Sequence, residues 1–305
     1  MTSTADPNRT YAAAHFALEL KGVDKLGMFR SIEGGGIKAD VMTYQNGGIY
    51  AKWRQLGKPK FEDLKLQVGM AMSAPFYEWI KAFFSGVPTR KDGTIIAADF
   101  YYKERARRHF ENAMIKEMAF PKLDANDKNT AYMVVTLAVE DMKFLPPASG
   151  TIQQDMGNEA QKSWKACNFR FTLDGFSVKQ NILEYHTGGS RTPTLTPSAI
   201  EFPQLSFTLP EADAQPLIDH FMKRSLGVSV PRGGAAPGRF GGHIETYDNA
   251  KTTKFRLEFK SADILNIQPD KSDAGTEEIK QVKVDLYIED LAFDYQVNPE
   301  PPSEL

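Results

Sequence analysis

Two carboxylate pairs, Glu140-Asp141 and Glu289-Asp290, are the side chains of this sequence whose types could carry out acid–base or cation chemistry. Each pair ends an alternating apolar–polar run, 135–144 and 284–293, and the two pairs stand 149 residues apart. Alternation of that kind marks a half-buried strand, and adjacent residues on a strand point to opposite faces. Neither pair can therefore readily share one proton or one ion, and a role in the fold or at an interface explains the recurrence better. The histidines (His15, His109, His186, His220 and His243) show no HxxxH or HExxH spacing. The single Cys167 has no adjacent activating group and reads as a buried small hydrophobe. No catalytic cluster, metal site or cofactor motif emerges, and a non-enzymatic protein is expected.

The glycine runs lead to the same conclusion. Arg232-Gly-Gly-Ala-Ala-Pro-Gly-Arg-Phe-Gly-Gly-His243 lacks the Gly-Lys-Ser/Thr ending of a phosphate loop and reads as a flexible loop ordered at an interface. Gly34-Gly35-Gly36 follows Ile32-Glu33 and precedes an alternating stretch, which suggests a strand bulge or a close backbone approach. One basic cluster, Lys103-Glu-Arg-Ala-Arg-Arg-His109, has few interleaved aromatics. A solvated strand face, or one lining a lumen, suits Arg105, Arg107 and Arg108 better than a nucleic-acid contact.

The elements that must position these residues come in two sets. The chain has 305 residues, about twice the commonest domain length. Apolar residues make up 41% and charged residues 25%, which rules out general disorder. Net charge is −2, with no bias toward a nucleic acid or an anionic membrane. Residues 1–150 hold 21 Lys+Arg against 17 Asp+Glu (net +4), and the remainder 16 against 22 (net −6). Opposite signs on the halves favour head-to-tail contacts between subunits. Residues 1–14 are polar and no apolar run reaches membrane-spanning length, so neither a secretory signal nor a span is expected. One cysteine excludes an intrachain disulfide framework and suits a reducing compartment.

Self-similarity organises the rest. Within 135–144 and 284–293, Val, Leu, Glu, Asp and Phe coincide. Phe16-Ala-Leu-Glu-Leu-Lys-Gly22 matches Phe169-Arg-Phe-Thr-Leu-Asp-Gly175 at an offset of 153, and 60–66 matches 201–207 at 141. Each copy should then carry one short helix. The first is capped by Ser73, contains Pro75 and buries Phe76, Ile80, Phe83 and Phe84 before Gly86. The second opens at Pro210-Glu211-Ala212, uses Leu217, Ile218, Phe221 and Met222, and ends near Gly227. Further strands are expected over 94–102, 110–118, 243–247 and 254–260. The Pro/Gly/Ser-rich Leu145-Pro-Pro-Ala-Ser-Gly-Thr-Ile-Gln-Gln reads as a linker. The expected division is a first domain at 12–147, a linker at 148–163, a second domain at 164–296 and a loose tail at 297–305. The expected fold is mainly β (α+β): two tandem small antiparallel β-barrel or sandwich domains, each with one short helix.

Several segments together resemble the tail-tube family of contractile phages and contractile injection systems. They are Phe29-Arg-Ser-Ile-Glu-Gly-Gly-Gly36, Tyr44-Gln-Asn-Gly-Gly48, Lys58-Pro-Lys-Phe-Glu-Asp-Leu-Lys-Leu-Gln-Val-Gly69 and Phe76-Tyr-Glu-Trp-Ile80. The likeness covers most of 12–145, whereas the second copy keeps the order without the triple glycine or the helix tryptophan. The resemblance implies a structural subunit whose barrels pool strands into rings, and rings that stack into a tube passing a payload or DNA. It also implies that the stretch 33–44, from Glu33 through Gly34, Gly35 and Gly36 to Tyr44, is a long hairpin that reaches a neighbouring ring. With two copies in one chain, a trimeric pseudo-six-fold ring and a hexamer both remain open, as do a tube layer and a baseplate adaptor. Other tube, sheath or baseplate proteins are the implied partners, with cytoplasmic assembly into a particle and no membrane. The alternative is a soluble β-barrel binding module for a protein or small ligand. Physics favours assembly, because unpaired edge strands are satisfied by closing a ring.

Overall fold

The computed structural model describes residues 13–23, 27–44, 52–69, 72–152, 164–173, 182–185, 200–202, 204–225, 238–270 and 279–295. The first half contributes β1 (His15–Leu20), β2 (Gly27–Phe29), β3 (Ser31–Gly34), β4 (Ile37–Tyr44), β5 (Trp53–Phe61), β6 (Leu64–Val68) and helix α1 (Ala74–Phe84). It continues with β7 (Lys91–Ala98), β8 (Glu104–Ala119), β9 (Leu123–Asp124), β10 (Met133–Ala138) and β11 (Asp141–Leu145). The second half contributes β12 (Phe169–Leu173), β13 (Ile182–Tyr185), β14 (Leu205–Pro210) and helix α2 (Gln215–Ser225). After these come β15 (Phe240–Tyr247), β16 (Thr253–Pro269), β17 (Gln281–Ile288) and β18 (Ala292–Tyr295).

The protein is mainly β, and every strand pairing described is antiparallel. One sheet runs β2-β1-β7-β8-β10-β6-β3 with β11 beside β8; the other runs β12-β15-β16-β17-β14-β13-β9 with β18 beside β16. Position for position, β1, β7, β8, β10, β6 and β3 have the places of β12, β15, β16, β17, β14 and β13. In the first sheet the end strands β2 and β3 are consecutive in the chain, separated only by Arg30, whose N–H donates to Gln67 O at 2.9 Å. The sheet therefore closes on itself as a small barrel.

Duplicated packing accompanies the duplicated order. A Cβ at Gly93 would lie 2.6 Å from the Phe110 ring, and one at Gly242 would lie 2.6 Å from the Phe259 ring. Each ring therefore lies over the hairpin backbone where only glycine leaves room. The turns after β7 and β15 also coincide. Asp99 accepts from the N–H groups of Tyr101 and Lys103, and Asp248 from those of Ala250 and Thr252. Tyr102 and Lys251 both hold positive φ, 60° and 63°. The first of these turns carries exposed Phe100 and Tyr101, the second Asn249 and Ala250.

The halves share one contiguous apolar core. Phe120 and Phe84 from the first half pack on Phe255 and Phe293 from the second, with ring centroids 5.7 and 6.0 Å apart. Strand β9 leaves the first half altogether and pairs with β13 in the second sheet.

Several boundaries differ from the sequence expectation. The segment 94–102 is strand only to Ala98, because Asp99 turns the chain there. Strands β8 and β16 are far longer than 110–118 and 254–260, since each serves three neighbours along its length. The stretch 60–66 is not one strand: the chain turns at Glu62–Asp63 between β5 and β6. Glu211–Asp213 forms a 3-10 turn and α2 begins at Gln215, one residue before Pro216, which suits a first-turn position. Ser73 sits at the cap of α1 but makes no side-chain cap bond. Cys167 is half-buried rather than buried, because it sits in the turn before β12. The glycine-rich loop enters β15 at Phe240, so its last residues are strand; 226–237 lies outside the described residues. Also outside them are His186, the linker beyond Ile152, Gln45–Gly48 of the resemblance and the tail.

Candidate assembly surfaces

The triple glycine forms the root of a projecting hairpin. Strands β4 and β5 form a separate two-stranded sheet outside the barrel. To leave the barrel there, the chain turns past the corner at Glu62–Leu64 with almost no clearance. Gly34 has φ +85°, and a Cβ on it would lie 2.0 Å from Asp63 O. Gly35 has φ +74° and would meet the Leu64 side chain at 2.7 Å, and Gly36 would meet the Glu62 carboxylate at 2.6 Å. Two backbone bonds fix this root: Gly35 N–H to Asp63 O at 3.3 Å and Glu62 N–H to Gly36 O at 2.9 Å.

The hairpin itself is solvent-exposed on both faces and rich in large apolar groups. Ile37, Val41, Met42, Tyr44, Trp53 and Leu56 are all exposed, Leu56 to 71% and Trp53 to 63%. Cross-strand neighbours Val41 and Leu56 lie on one face of the ribbon, and Tyr44 and Trp53 on the other. A lone two-stranded ribbon is marginal in water, and so large an apolar surface marks an interaction site. The sequence expectation placed the whole hairpin within 33–44, but that stretch holds only its first strand, and Trp53 and Leu56 of the second were missed. Trp53 and Leu56 stand three apart, so Trp-Arg-Gln-Leu carries no strand alternation, and Gly57 and Pro59 weaken the signal further. At the hairpin root a cleft of 850 Å³ is lined by Glu33, Lys38, Phe61, Lys65, Lys116 and Glu140 among others.

The basic cluster does not act as one patch. Arg105 pairs with Asp99 at 2.8 Å, and Arg107 with Glu104 at 2.8 Å and Glu19 at 3.5 Å. Arg108 points to the other side of β8, its guanidinium 5.6 Å from the Phe144 ring centroid and beside Gly35. Burial pushes the Glu104 carboxyl up, but the Arg107 guanidinium and the Ala148 N–H outweigh it and hold it below the usual carboxylate range. The carboxylate pairs also separate. Glu140 binds Arg90 at 2.8 Å and Asn112 at 2.9 Å, and Glu289 binds Arg239 and Ser261. Arg90 and Arg239 are themselves 149 residues apart, so the recurring Glu is half of a recurring ion pair that ties a hairpin to its neighbouring strand. Among the described residues no group of His, Cys, Asp and Glu could hold a metal ion, and no helix is long and apolar enough to cross a membrane.

The described residues thus combine a closed small barrel with a projecting hairpin whose large apolar side chains face solvent. Residues 12–143 match the family model of the T4-like virus tail tube protein gp19, which bears out the resemblance drawn from the glycine, strand and helix motifs. Solved structures are also similar to this chain. A chain of the extended sheath–tube complex of the extracellular contractile injection system PVC is 19% identical, with TM-score 0.41, over 48% of this chain and 99% of that one. A chain of the anti-feeding prophage tube-terminating cap is 22% identical, with TM-score 0.39, over 48% and 99%. A chain of the same prophage's baseplate is 16% identical, with TM-score 0.39, over 45% and 97%. No curated protein matches the chain.

Proposed function

We propose that this protein is a structural, ring-forming subunit of a phage tail or contractile injection system, either a layer of the inner tube or the adaptor from which the tube starts. One observation above all supports the reading: two sheets with the same strand order lie in one chain whose residues 12–143 match the tail tube family. On this reading the chain divides into domains at 12–147 and 164–296, joined by a linker at 148–163 and followed by a tail at 297–305. Three chains then supply six barrels to a pseudo-six-fold ring, or six chains supply two stacked rings.

The hairpin β4–β5, rooted at Glu33 and Gly34–Gly36 and carrying Tyr44, makes the contact between rings. Sheath, tube or baseplate proteins surround the ring, and a payload or DNA passes through its lumen. Assembly takes place in the cytoplasm before incorporation into the particle. The test is the mass of the purified protein across a concentration series, with negative-stain images of the same sample. Rings of three chains identify an adaptor and stacks of six-chain rings a tube layer. A strict monomer that forms no ring even beside its neighbouring tube and baseplate proteins refutes the reading and favours a soluble binding module.

A further inference from the structure

The chain contains a finished interface and both halves of an unfinished copy of it. Helix α1 packs on β18: Tyr77 stacks on Tyr295 at 4.1 Å, Phe84 on Phe293 at 6.0 Å, and Lys81 bonds Asp294 at 2.8 Å. It buries one broad face made of Phe76, Tyr77, Trp79, Ile80, Phe83 and Phe84. The equivalent helix of the second half is α2, and the equivalent strand of the first half is β11. Sheet register fixes the strand correspondence. Phe144 faces Arg108 and Leu145 faces Arg107, just as Phe293 faces Leu257 and Asp294 faces Arg256, every residue displaced by 149. The helices, both of eleven residues with Pro75 and Pro216 at the second position, correspond at a displacement of 141.

Among the described residues no helix covers β11 as α1 covers β18, and α2 covers no strand in that way. Phe144 is 56% exposed where its equivalent Phe293 is 2%. Of the described residues of α2 only Leu217 is buried, and Met222 is 37% exposed. Two of the three contacts have equivalents that pair chemically, whereas Phe84 and Phe293 correspond to Ser225 and Phe144. Lys81 and Asp294, the half-exposed ion pair at the rim of the α1–β18 contact, correspond to Met222 and Leu145, a pair of apolar groups; both partners have changed type together. Tyr77 and Tyr295 correspond to Ile218 and Pro146, again apolar on both sides. On its other edge β11 has no partner strand among the described residues, since it pairs with β8 alone.

We infer that α2 of one copy seats on β11 of the next copy in the way α1 seats on β18 within the chain, with Met222 against Leu145. The contact is head-to-tail, so it propagates from copy to copy and closes where the rotation allows. It joins the acidic half of one chain to the basic half of the next. This inference rests on the ring reading above and specifies the surfaces that make the ring.

A charge-exchange series on the full chain tests it: Leu145→Asp, Met222→Lys, and the double variant, which installs between chains the Lys–Asp pair already present within the chain. Both positions are exposed, and circular dichroism checks that each variant folds. The masses are compared in solution against the 34.1 kDa chain. The expected result is that wild type forms a closed multiple, each single variant raises the midpoint concentration for assembly by tenfold or more, and the double variant returns it to near the wild-type value. Single variants that assemble like wild type overturn this surface while leaving the ring reading intact. Loss of assembly in the singles without recovery in the double overturns the Met222–Leu145 pairing. A wild type that stays at 34.1 kDa throughout overturns the ring reading and this inference with it.

Discussion

Gly34→Ala, compared with Gly22→Ala, isolates what the triple glycine contributes. Both glycines hold positive φ, +85° and +79°, so a Cβ at either is strained by about 1–2 kcal/mol. About 0.4–1 kcal/mol of that is offset because alanine reduces the freedom of the unfolded chain. Gly22 has nothing within 4 Å of the added carbon, and the net loss there should be about 1 kcal/mol. At Gly34 the carbon would lie 2.0 Å from Asp63 O, a backbone atom that no rotamer change can remove. The corner between β5 and β6 must move, and the bond from Gly35 N–H to Asp63 O goes with it, adding about 1 kcal/mol or more. The total should reach about 2 kcal/mol or more. Urea titrations followed by tryptophan emission measure this, since Trp79 and Trp164 are buried, one in each half of the chain. Equal losses for the two variants would refute the claim that the glycine is demanded by close approach rather than by its dihedral angle alone.

Other substitutions probe the remaining contacts. Phe84→Ala should cost about 3–5 kcal/mol and shift the signals of both buried tryptophans together, because its ring touches Phe120 and Phe293 in different halves. Arg90→Ala and Arg239→Ala should each cost less than about 1 kcal/mol by the same titration, because these recurring ion pairs lie at the surface. Glu104 has a folded-state pKa below its unfolded value, so its stabilisation is complete above the unfolded value and is lost as pH falls through the folded one. Melting temperature should therefore drop on acidification below about pH 4, with a flatter profile in Glu104→Gln. Trp53→Ser combined with Leu56→Thr should leave stability within about 0.5 kcal/mol, since both side chains face solvent. The same variant should abolish stacking of rings in negative-stain images while leaving single rings intact.

The repeat was legible because the two copies share buried positions, where chemistry is constrained. Phe110 and Phe259, like Leu66 and Phe207, repeat at fixed displacement because each fills a comparable place inside its own sheet. The helices were legible from apolar periodicity, although the polar 3-10 turn at Glu211–Asp213 obscured where α2 begins. Closure of the first barrel was not legible. It depends on one residue, Arg30, joining two three- and four-residue strands that carry no periodic signal of their own. The basic cluster was misleading as a patch because its counter-charges Asp99 and Glu19 arrive from outside it, Glu19 across the neighbouring strands. The candidate surfaces were half legible: glycines reveal where a hairpin must leave, but not which exposed side chains it carries outward.

The divergence of the two copies follows from where each surface meets its partner. The contact between α1 and β18 forms as one chain folds and need never face bulk water, so Ala-Pro-Phe-Tyr-Glu-Trp-Ile-Lys-Ala-Phe-Phe84 can be apolar over one broad face. A surface that waits for another chain must stay soluble until the partner arrives, which limits the size of any exposed apolar patch. Helix α2, Gln-Pro-Leu-Ile-Asp-His-Phe-Met-Lys-Arg-Ser225, meets that demand: Lys223 and Arg224 replace Ala82 and Phe83. Arg224 is held by Asp263, so its charge is neutralised locally and Met222 stands out as an apolar contact. The substitutions that make α2 a poorer helix for its own chain thus make it a better one for the next.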